Sequence, residues 1–436
     1  MRDLLIAAIV LLGCAAALRR PWIGVMLWTW LSLMNPHKYA YGFAQNAQFA
    51  ALTAACTLAG MLATRDKTSP FKGPGPVLLV AFTVWLTISW LAGLDPANDY
   101  EQWKKVIKIN GMVFVSLALL STRQHIYAFV WTCALSLGLL GAKGGAFTLL
   151  HGGNFRVWGP GGSFIEDNNA FALALVMTIP LLRFLQMQVT QRALRHALTG
   201  SMLLLAASAL GSHSRGGLLA MLAMTFVLWW RGRSRFLGGI VIVVAAVLLV
   251  SFMPAEWTNR MDTINDYEED RSALGRFSAW WVGWGIAKSY IAGVGFNTSR
   301  PELFLAYSPY GIEFGTPTAH SIYFQVLGHH GFIGLILFVM LWVVTFVTAS
   351  RVRKAAATIP QAQWCRDLAG MCQVSLIGYA VGGAFLSLAY FDLPYNILLL
   401  MAVTQSWVKR KGWETEPEYK PGWLTIPGLA TAGAPR

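Results

Sequence analysis

Apolar residues occur along the chain in runs long enough to cross a lipid bilayer, separated by polar linkers. A helix crosses the roughly 30 Å hydrocarbon layer in about 20 residues. Such runs lie near residues 4–18, 21–35, 43–64, 74–94, 106–121, 125–150, 168–185, 197–213, 216–230, 236–253, 321–349, 367–390 and 395–408. The first two runs are short and Pro394 falls between the last pair, so the pattern predicts about 12 crossings in an all-α polytopic membrane protein.

The linkers between these runs alternate in charge. Every second linker is rich in Lys and Arg, which occur at 19–20, 65–72, 123, 183–195, 231–235, 351–366 and 409–411. The positive-inside rule assigns such linkers to the cytoplasmic side, so residues from Lys409 onward are predicted to be cytoplasmic. The first run has no clear cleavage site, so we interpret it as a retained helix.

Composition supports the same class of protein. The chain has 436 residues, of which 56% are hydrophobic and 12% charged, whereas soluble domains carry about 25% charged residues. The 19 tryptophans and 13 tyrosines suit the aromatic belts of a membrane protein. The net charge of +14 falls largely in the basic linkers, which argues against nucleic acid as a partner. The five cysteines lie in or next to apolar runs and are interpreted as core residues.

Two linkers on the outer side are distinctive. Residues 151–162 are rich in glycine, and residues 254–319 form a linker far longer than any other. Within it, residues 271–290 space apolar side chains with a helical rhythm, which predicts an amphipathic helix on the outer membrane surface. The chain therefore divides into a membrane bundle (1–253), a periplasmic loop with surface helices (254–320), C-terminal membrane helices (321–408) and a flexible cytoplasmic tail (409–436).

Four cations are candidates for binding an anion at this outer face. Arg215 sits at the end of an apolar run, before two glycines. Arg276 lies on the predicted surface helix, with Arg271 five residues before it and Lys288 twelve residues after it. Guanidinium groups bind phosphate in a bidentate manner, and more strongly away from bulk water. These residues are therefore predicted to hold a diphosphate lipid.

A histidine provides a candidate base next to these cations. His320 precedes the long run at 321–349, at the outer face, and a neutral histidine can accept a proton from a sugar hydroxyl. His213, Arg156 and Lys143 are further candidate site residues. His329 and His330, further along the same run, are interpreted as packing or polar contacts within the bundle.

No metal or cofactor is predicted. The acidic stretches at 265–270 and 166–169 are weak candidates for a divalent cation and are interpreted as solvated turns. Walker A, GxSxG and HExxH motifs are absent from the sequence, and the glycines at 293–295 follow no predicted strand.

Together these motifs resemble the O-antigen ligase and O-antigen polymerase superfamily, including its O-glycosylation-ligase branch. The resemblance rests on Ser-Arg-Gly at 214–216, the aromatic-rich segment 276–284, Gly-Val-Gly at 293–295 and Ala-His-Ser at 319–321. It covers residues 200–345 closely, while the amino-terminal half agrees in layout and in its glycine-rich loop.

The resemblance implies a metal-independent, inverting glycosyltransferase with a GT-C-like fold in the bacterial inner membrane. Its active site would face the periplasm, its donor would be a glycan on undecaprenyl diphosphate, and its acceptor would be a hydroxyl of lipid A-core. It further implies that His320 activates the acceptor and that the arginines hold the diphosphate.

Two alternatives remain at this stage. A polymerase or a protein O-oligosaccharyltransferase would use the same donor site with another acceptor. A lipid-linked glycan transporter belongs to a different class, but transporters more often show inverted repeats and charges deep in the membrane. The candidate residues cluster at one outer face, which favours an enzyme.

Overall fold

The computed structural model describes residues 1–232 and 271–416, together with positions 239–240, 243–244, 247 and 251. All regular elements in these residues are helical, which confirms the predicted all-α class for this part of the chain. The α-helices are α1 (Arg2–Arg19), α2 (Pro21–Met34), α3 (Phe49–Ala63), α4 (Pro74–Leu91), α5 (Pro96–Leu119), α6 (Arg123–Leu150), α7 (Asn168–Gln188), α8 (Arg192–Gly211), α9 (Arg215–Arg231), α10 (Arg271–Ser289), α11 (Pro301–Tyr307), α12 (Ile322–Ala355), α13 (Gln363–Gly383), α14 (Asp392–Lys409) and α15 (Gly412–Thr415). Short 3-10 helices occur at Pro36–Tyr39, Phe43–Gln45 and Pro360–Ala362.

Five of these helices, α4, α6, α7, α8 and α12, are long and apolar enough to cross a membrane, and α2 and α3 are shorter apolar helices. The chain is therefore a membrane protein by the length and composition of its helices, while about 12 crossings stays a prediction. Most of the apolar run at 236–253, the loop segment 254–270 and the tail 417–436 lie outside the described residues.

The bundle has two distinct ends. Short connections join consecutive helices, such as the single residue between α1 and α2, so neighbouring helices run in opposite directions. Helices α6, α8 and α13 finish at one end, where α7, α9, α12 and α14 begin. We call this the site end, because it holds Arg215 and His320; the basic linkers lie at the opposite end.

Helix α12 is broken in its first third. Gly331 has φ 66° and ψ −171° inside this 34-residue helix, a conformation that is almost exclusive to glycine. The break frees carbonyl groups that need other partners in an apolar bundle. The carbonyl of His329 accepts hydrogen bonds from Ser89 Oγ (2.8 Å) and the Gly295 amide (3.1 Å), and the carbonyl of His330 accepts one from Trp85 Nε1 (2.8 Å).

The imidazole rings of the two histidines at the break also form hydrogen bonds. His330 Nδ1 lies 2.7 Å from Ser89 Oγ and its Nε2 lies 2.7 Å from the Tyr390 hydroxyl, which is 2.9 Å from His329 Nδ1. All three rings are buried. His329 and His330 therefore make polar contacts inside the bundle, as the sequence predicted.

The turn that follows α10 packs against α12 at the break. The Val294 amide donates to the Gly328 carbonyl (3.3 Å), and the Leu94 amide donates to the Val294 carbonyl (3.2 Å). A methyl group on Gly293 would lie 2.2 Å from the His329 carbonyl oxygen, so no larger residue fits there. Helices α10 and α12 also approach closely, since a methyl group on Gly328 would lie 3.3 Å from the Gly283 Cα atom. The turn thus fixes α10 against α12.

Replacing Gly331 by alanine tests the break. Because the backbone conformation disfavours a side chain and the added methyl group would lie 2.2 Å from the Ile291 carbonyl oxygen, we expect Gly331→Ala to cost about 2–3 kcal/mol. The measurement is the unfolding temperature of the purified protein in detergent. Gly200→Ala is the matched control, because Gly200 lies inside α8 with no atom within 4 Å of the added methyl group. Equal unfolding temperatures for the two variants would contradict this account.

Candidate active site

Two helices begin beside the carboxyl end of α13. At the start of α9, a methyl group on Gly216 would lie 3.6 Å from the Gly382 carbonyl oxygen. At the start of α12, Ile322 Cδ1 would lie 2.5 Å from a methyl group on Gly383. These glycines allow α9 and α12 to approach α13 from two sides. Arg215 and His320, which open or precede the two helices, therefore flank the same short segment.

Helix α7 also begins at this place. A methyl group on Gly217 of α9 would lie 2.7 Å from the Ala172 Cβ atom of α7. Asp167 caps α7, and its carboxylate accepts hydrogen bonds from the amides of Asn169 (2.8 Å) and Ala170 (3.2 Å). The first turns of α7 and α9 thus pack together at the site end.

Arg215 is the first residue of α9 and is partly buried. Ser214 caps the helix, because its hydroxyl accepts a hydrogen bond from the Gly217 amide (3.0 Å). Helix amino termini carry partial positive charge, so the guanidinium group of Arg215 adds to a region that already favours an anion.

His213 ties the glycine-rich loop to this region. Its backbone lies in the left-handed region (φ 57°), and its Nε2 donates to the Gly153 carbonyl over 2.9 Å. Asn168 Nδ2 donates to the Ser212 carbonyl (2.6 Å) from the start of α7. His213 is buried, so its described contacts are those of a residue that positions the loop.

His320 is held by α10. Its backbone also lies in the left-handed region (φ 43°), where non-glycine residues often mark functional sites. The preceding residue, Ala319, accepts a hydrogen bond at its carbonyl from Trp280 Nε1 (2.7 Å), and the Trp280 ring stacks on Phe324 at 4.9 Å. Because Trp280 lies one turn after Arg276 on α10, this contact brings Arg276 towards His320.

The electrostatic surroundings favour the neutral form of His320. Burial lowers the pKa of its imidazole, the positive charge of Arg276 lowers this pKa further, and the negative charge of Asp167 opposes both effects. Arg276 on α10 and Asp167 at the cap of α7 therefore both lie within electrostatic range of His320, which stands in the connection before α12. A neutral imidazole beside a cation is the protonation state that a general base requires.

The other predicted cations on α10 lie away from this group. Lys288 lies twelve residues, or about 18 Å, beyond Arg276, and its ammonium is 6.0 Å from the Trp284 ring. The guanidinium group of Arg271 lies 5.8 Å from the Phe314 ring. Both side chains are exposed, so the structure does not bring Lys288 to Arg276.

The remaining candidates sit on other elements. Arg156 is exposed in the glycine-rich loop. Lys143 is exposed on α6, with its ammonium 4.9 Å from the Tyr39 ring. Neither side chain has a described contact with Arg215, Arg276 or His320.

The acidic candidates do not form a metal site in the described residues. Across 1–232 and 271–416, no group of three or more His, Cys, Asp or Glu side chains could hold a metal ion. Glu166 accepts a hydrogen bond from the Gly162 amide (2.7 Å) and Asp167 caps α7. The other acidic stretch, 265–270, lies outside the described residues.

Sequence reasoning missed two residues near the site. It did not identify Trp280 as the residue that contacts the chain before His320. The position of Trp280, one helical turn after Arg276, can be read from the sequence. It also missed Arg300, whose guanidinium lies 3.9 Å from the Asp95 carboxylate and whose side chain is only 15% exposed. This ion pair fastens the segment after the 293–295 turn to the start of α5.

Comparisons with known families cover most of the chain. Residues 200–339, which contain Arg215, Arg276 and His320, match the family model described as O-antigen ligase. Residues 1–190 match a family of unknown function (DUF5935). No curated protein matches the chain.

A conservative change at Trp280 tests how His320 is positioned. Trp280→Phe keeps a ring against Phe324 but removes the hydrogen bond to the Ala319 carbonyl, worth about 1 kcal/mol. We expect faster hydrogen–deuterium exchange in a peptide that spans residues 317–324. Trp281→Phe is the control, since Trp281 is 54% exposed. Unchanged exchange in Trp280→Phe would show that this contact does not hold the segment.

Proposed function

Because residues 200–339 make this chain a member of the O-antigen ligase and polymerase superfamily, we propose that it is an O-antigen ligase. It transfers a glycan from undecaprenyl diphosphate to a hydroxyl of lipid A-core, with inversion at the anomeric carbon. The observation that carries the proposal is that Arg215 and His320 stand at the starts of two helices that pack against the carboxyl end of α13, with Arg276 within electrostatic range of His320.

Binding of the donor diphosphate is supported by the charges at the site end. Arg215 is the first residue of α9, and Arg276 lies within electrostatic range of His320. The amino termini of α7, α9 and α12 add partial positive charge to the same region. In the proposal, Arg215 and Arg276 bind the diphosphate and stabilise the charge that develops on it as it leaves.

The chemical step follows from the neutral state of His320. Its imidazole accepts the proton of the acceptor hydroxyl as the hydroxyl oxygen attacks the anomeric carbon. The bond between that carbon and the diphosphate oxygen breaks, and its electron pair stays with the diphosphate. The imidazolium returns its proton to the departing diphosphate or to water. The lipid-linked sugar is already activated, so the step needs no nucleotide.

The charge asymmetry of the bundle supports a periplasmic site. The linkers at the end opposite Arg215 and His320 are rich in Lys and Arg. Basic linkers stay in the cytoplasm of bacterial inner-membrane proteins. The site end therefore faces the periplasm in the proposal, where the donor can reach it from the outer leaflet.

Transfer by purified protein is the direct test of the function. Protein in detergent is incubated with undecaprenyl-diphosphate glycan and lipid A-core, with EDTA present and without nucleotide, and the products are resolved on a gel. We expect a glycan-bearing core band, reduced by about 100-fold or more in His320→Ala and Arg215→Ala because each removes a transition-state contact. His196→Ala and Arg192→Ala are matched controls, since both residues are exposed at the opposite end.

The products separate the alternatives. Lengthened donor glycan without a modified core would identify a polymerase, and transfer to added protein would identify an oligosaccharyltransferase. Full activity of His320→Ala would overturn the assignment of the base. Activity that needs one added divalent cation would contradict a metal-independent reaction.

The pH dependence of transfer tests the pairing of Arg276 with His320. Activity should fall as the pH drops through the lowered pKa of His320, because the protonated ring cannot accept a proton. Arg276→Gln removes a charge that lowers this pKa, so the acid limb of its residual activity should move to higher pH. Arg276→Lys keeps the charge and should leave the limb in place. Rates measured from about pH 5 to about pH 8 would reveal the shift, and identical limbs in Arg276→Gln and wild type would contradict the pairing.

A further inference from the structure

A cavity lined by both polar and apolar residues lies at the site end, separate from the helix ends that flank α13. Its volume is about 460 Å³, within the range of roughly 300–1,000 Å³ typical of small-molecule sites. Its walls come from α2, the 3-10 helix Pro36–Tyr39, α3, α5, the segment 162–165 and the start of α14. Most of it therefore belongs to the amino-terminal region that matches a family of unknown function.

Two lysines give the cavity a positive charge. Lys105 and Lys108 line it from one face of α5, since residues three apart are neighbours on a helix. Neither lysine forms an ion pair in the described part of the chain. Glu101 acts electrostatically on both, but its carboxylate is bound directly by Lys104 at 2.5 Å. The two ammonium groups are therefore available to an anionic ligand.

The opposite wall carries a histidine and one carboxyl group, both with hydrogen-bonding capacity. His37 Nδ1 is buried and, within the described residues, has no hydrogen-bond partner. Burial lowers the pKa of His37, and the charge of Lys38 lowers it further, so both effects favour the neutral ring. Asp392 is buried at the cavity and accepts a hydrogen bond from Ser32 Oγ (2.5 Å). His37 Nδ1 can therefore form a hydrogen bond with a ligand in the cavity.

Aromatic rings complete the lining. Trp28, Phe164 and Phe391 contribute to the walls. Apolar rings combined with a few convergent polar groups are typical of sites for small organic ligands. Such a lining with two ammonium groups fits a saccharide that carries a phosphate or carboxylate better than it fits a bare ion.

Two short segments connect this cavity to the candidate active site. Ile165 lines the cavity, and two residues later Asp167 acts on the charge of His320. Phe391 lines the cavity, and the preceding residue, Tyr390, binds both buried histidines of α12. A ligand in the cavity therefore contacts segments that continue into the candidate active site.

We propose that this cavity binds the anionic saccharide headgroup of the acceptor, with Lys105 and Lys108 holding a phosphate or carboxylate on the sugar. Its assignment to the acceptor rests on the proposed function, whereas binding of a phosphorylated glycolipid does not. A membrane phospholipid offers the same phosphate chemistry without the saccharide, so the test includes both.

The test measures binding without any donor, by thermophoresis of the full chain in detergent. The probes are phosphorylated lipid A-core, the same glycolipid after phosphatase treatment, and phosphatidylglycerol. We expect wild type to bind the phosphorylated glycolipid at least tenfold more tightly than either other probe, since hydrogen bonds between ionised groups are stronger than those between neutral groups. The double variant Lys105→Gln/Lys108→Gln should lose this preference.

Two further variants separate charge from folding. Lys104→Gln is the matched control, because Lys104 lies on the same helix but outside the cavity lining and pairs with Glu101. It should bind like wild type, and so should Lys105→Arg/Lys108→Arg, which keeps both charges. Unchanged binding in the double glutamine variant would overturn the site, and equal binding of phosphatidylglycerol would overturn its selectivity for a saccharide.

The transfer assay distinguishes this inference from the proposed function. Phosphate-dependent binding in a protein that transfers no glycan would retain the cavity as a glycolipid site and overturn its role in the reaction. Transfer by wild type with an unchanged acceptor KM in the double glutamine variant would overturn the cavity as the acceptor site while leaving the proposed function standing. An acceptor KM raised at least tenfold with kcat and the donor KM unchanged would support both.

Discussion

The break in α12 at Gly331 is the constraint on which the site end depends. A helix interrupted in an apolar bundle leaves carbonyl groups that cannot turn to water, and each must find a donor in the protein. Here the donors come from α4 and from the turn after α10, while Tyr390 binds the two adjacent histidine rings. Four separate parts of the chain are therefore fixed to one another through a single interruption.

This arrangement explains why the candidate base and its neighbouring cation meet. The turn at 293–295 enters the break, so the preceding helix α10 lies along the first third of α12. From there Trp280 reaches the Ala319 carbonyl, and Arg276 lies close enough to influence the charge on His320. The family match covers this same region, from the end of α8 to beyond the break.

The sequence predicted the helices well because bilayer thickness fixes their length and polar linkers mark their ends. Run 125–150 became α6 at 123–150, and run 168–185 became α7 at 168–188.

The sequence was less successful in predicting side-chain positions on α10. The helical rhythm comprised Phe277, Trp280, Trp281, Trp284 and Ile286. Of these, Ile286 is buried and Trp280 packs on Phe324, whereas Trp281 and Trp284 are exposed. Tertiary contacts of Val282 and Ile286 decide which face is buried. Likewise, no local pattern could reveal the cavity at Lys105 and Lys108, because its walls come from several segments that meet only in the folded chain.

The lowered pKa of His320 has a physiological consequence. In the proposed orientation the site faces the periplasm, which exchanges small ions with the medium and so follows its acidity. A histidine with an ordinary pKa would become charged in mildly acidic surroundings. Burial and the charge of Arg276 delay that change for His320, so under the proposed function the reaction would continue at a lower pH than an ordinary histidine permits.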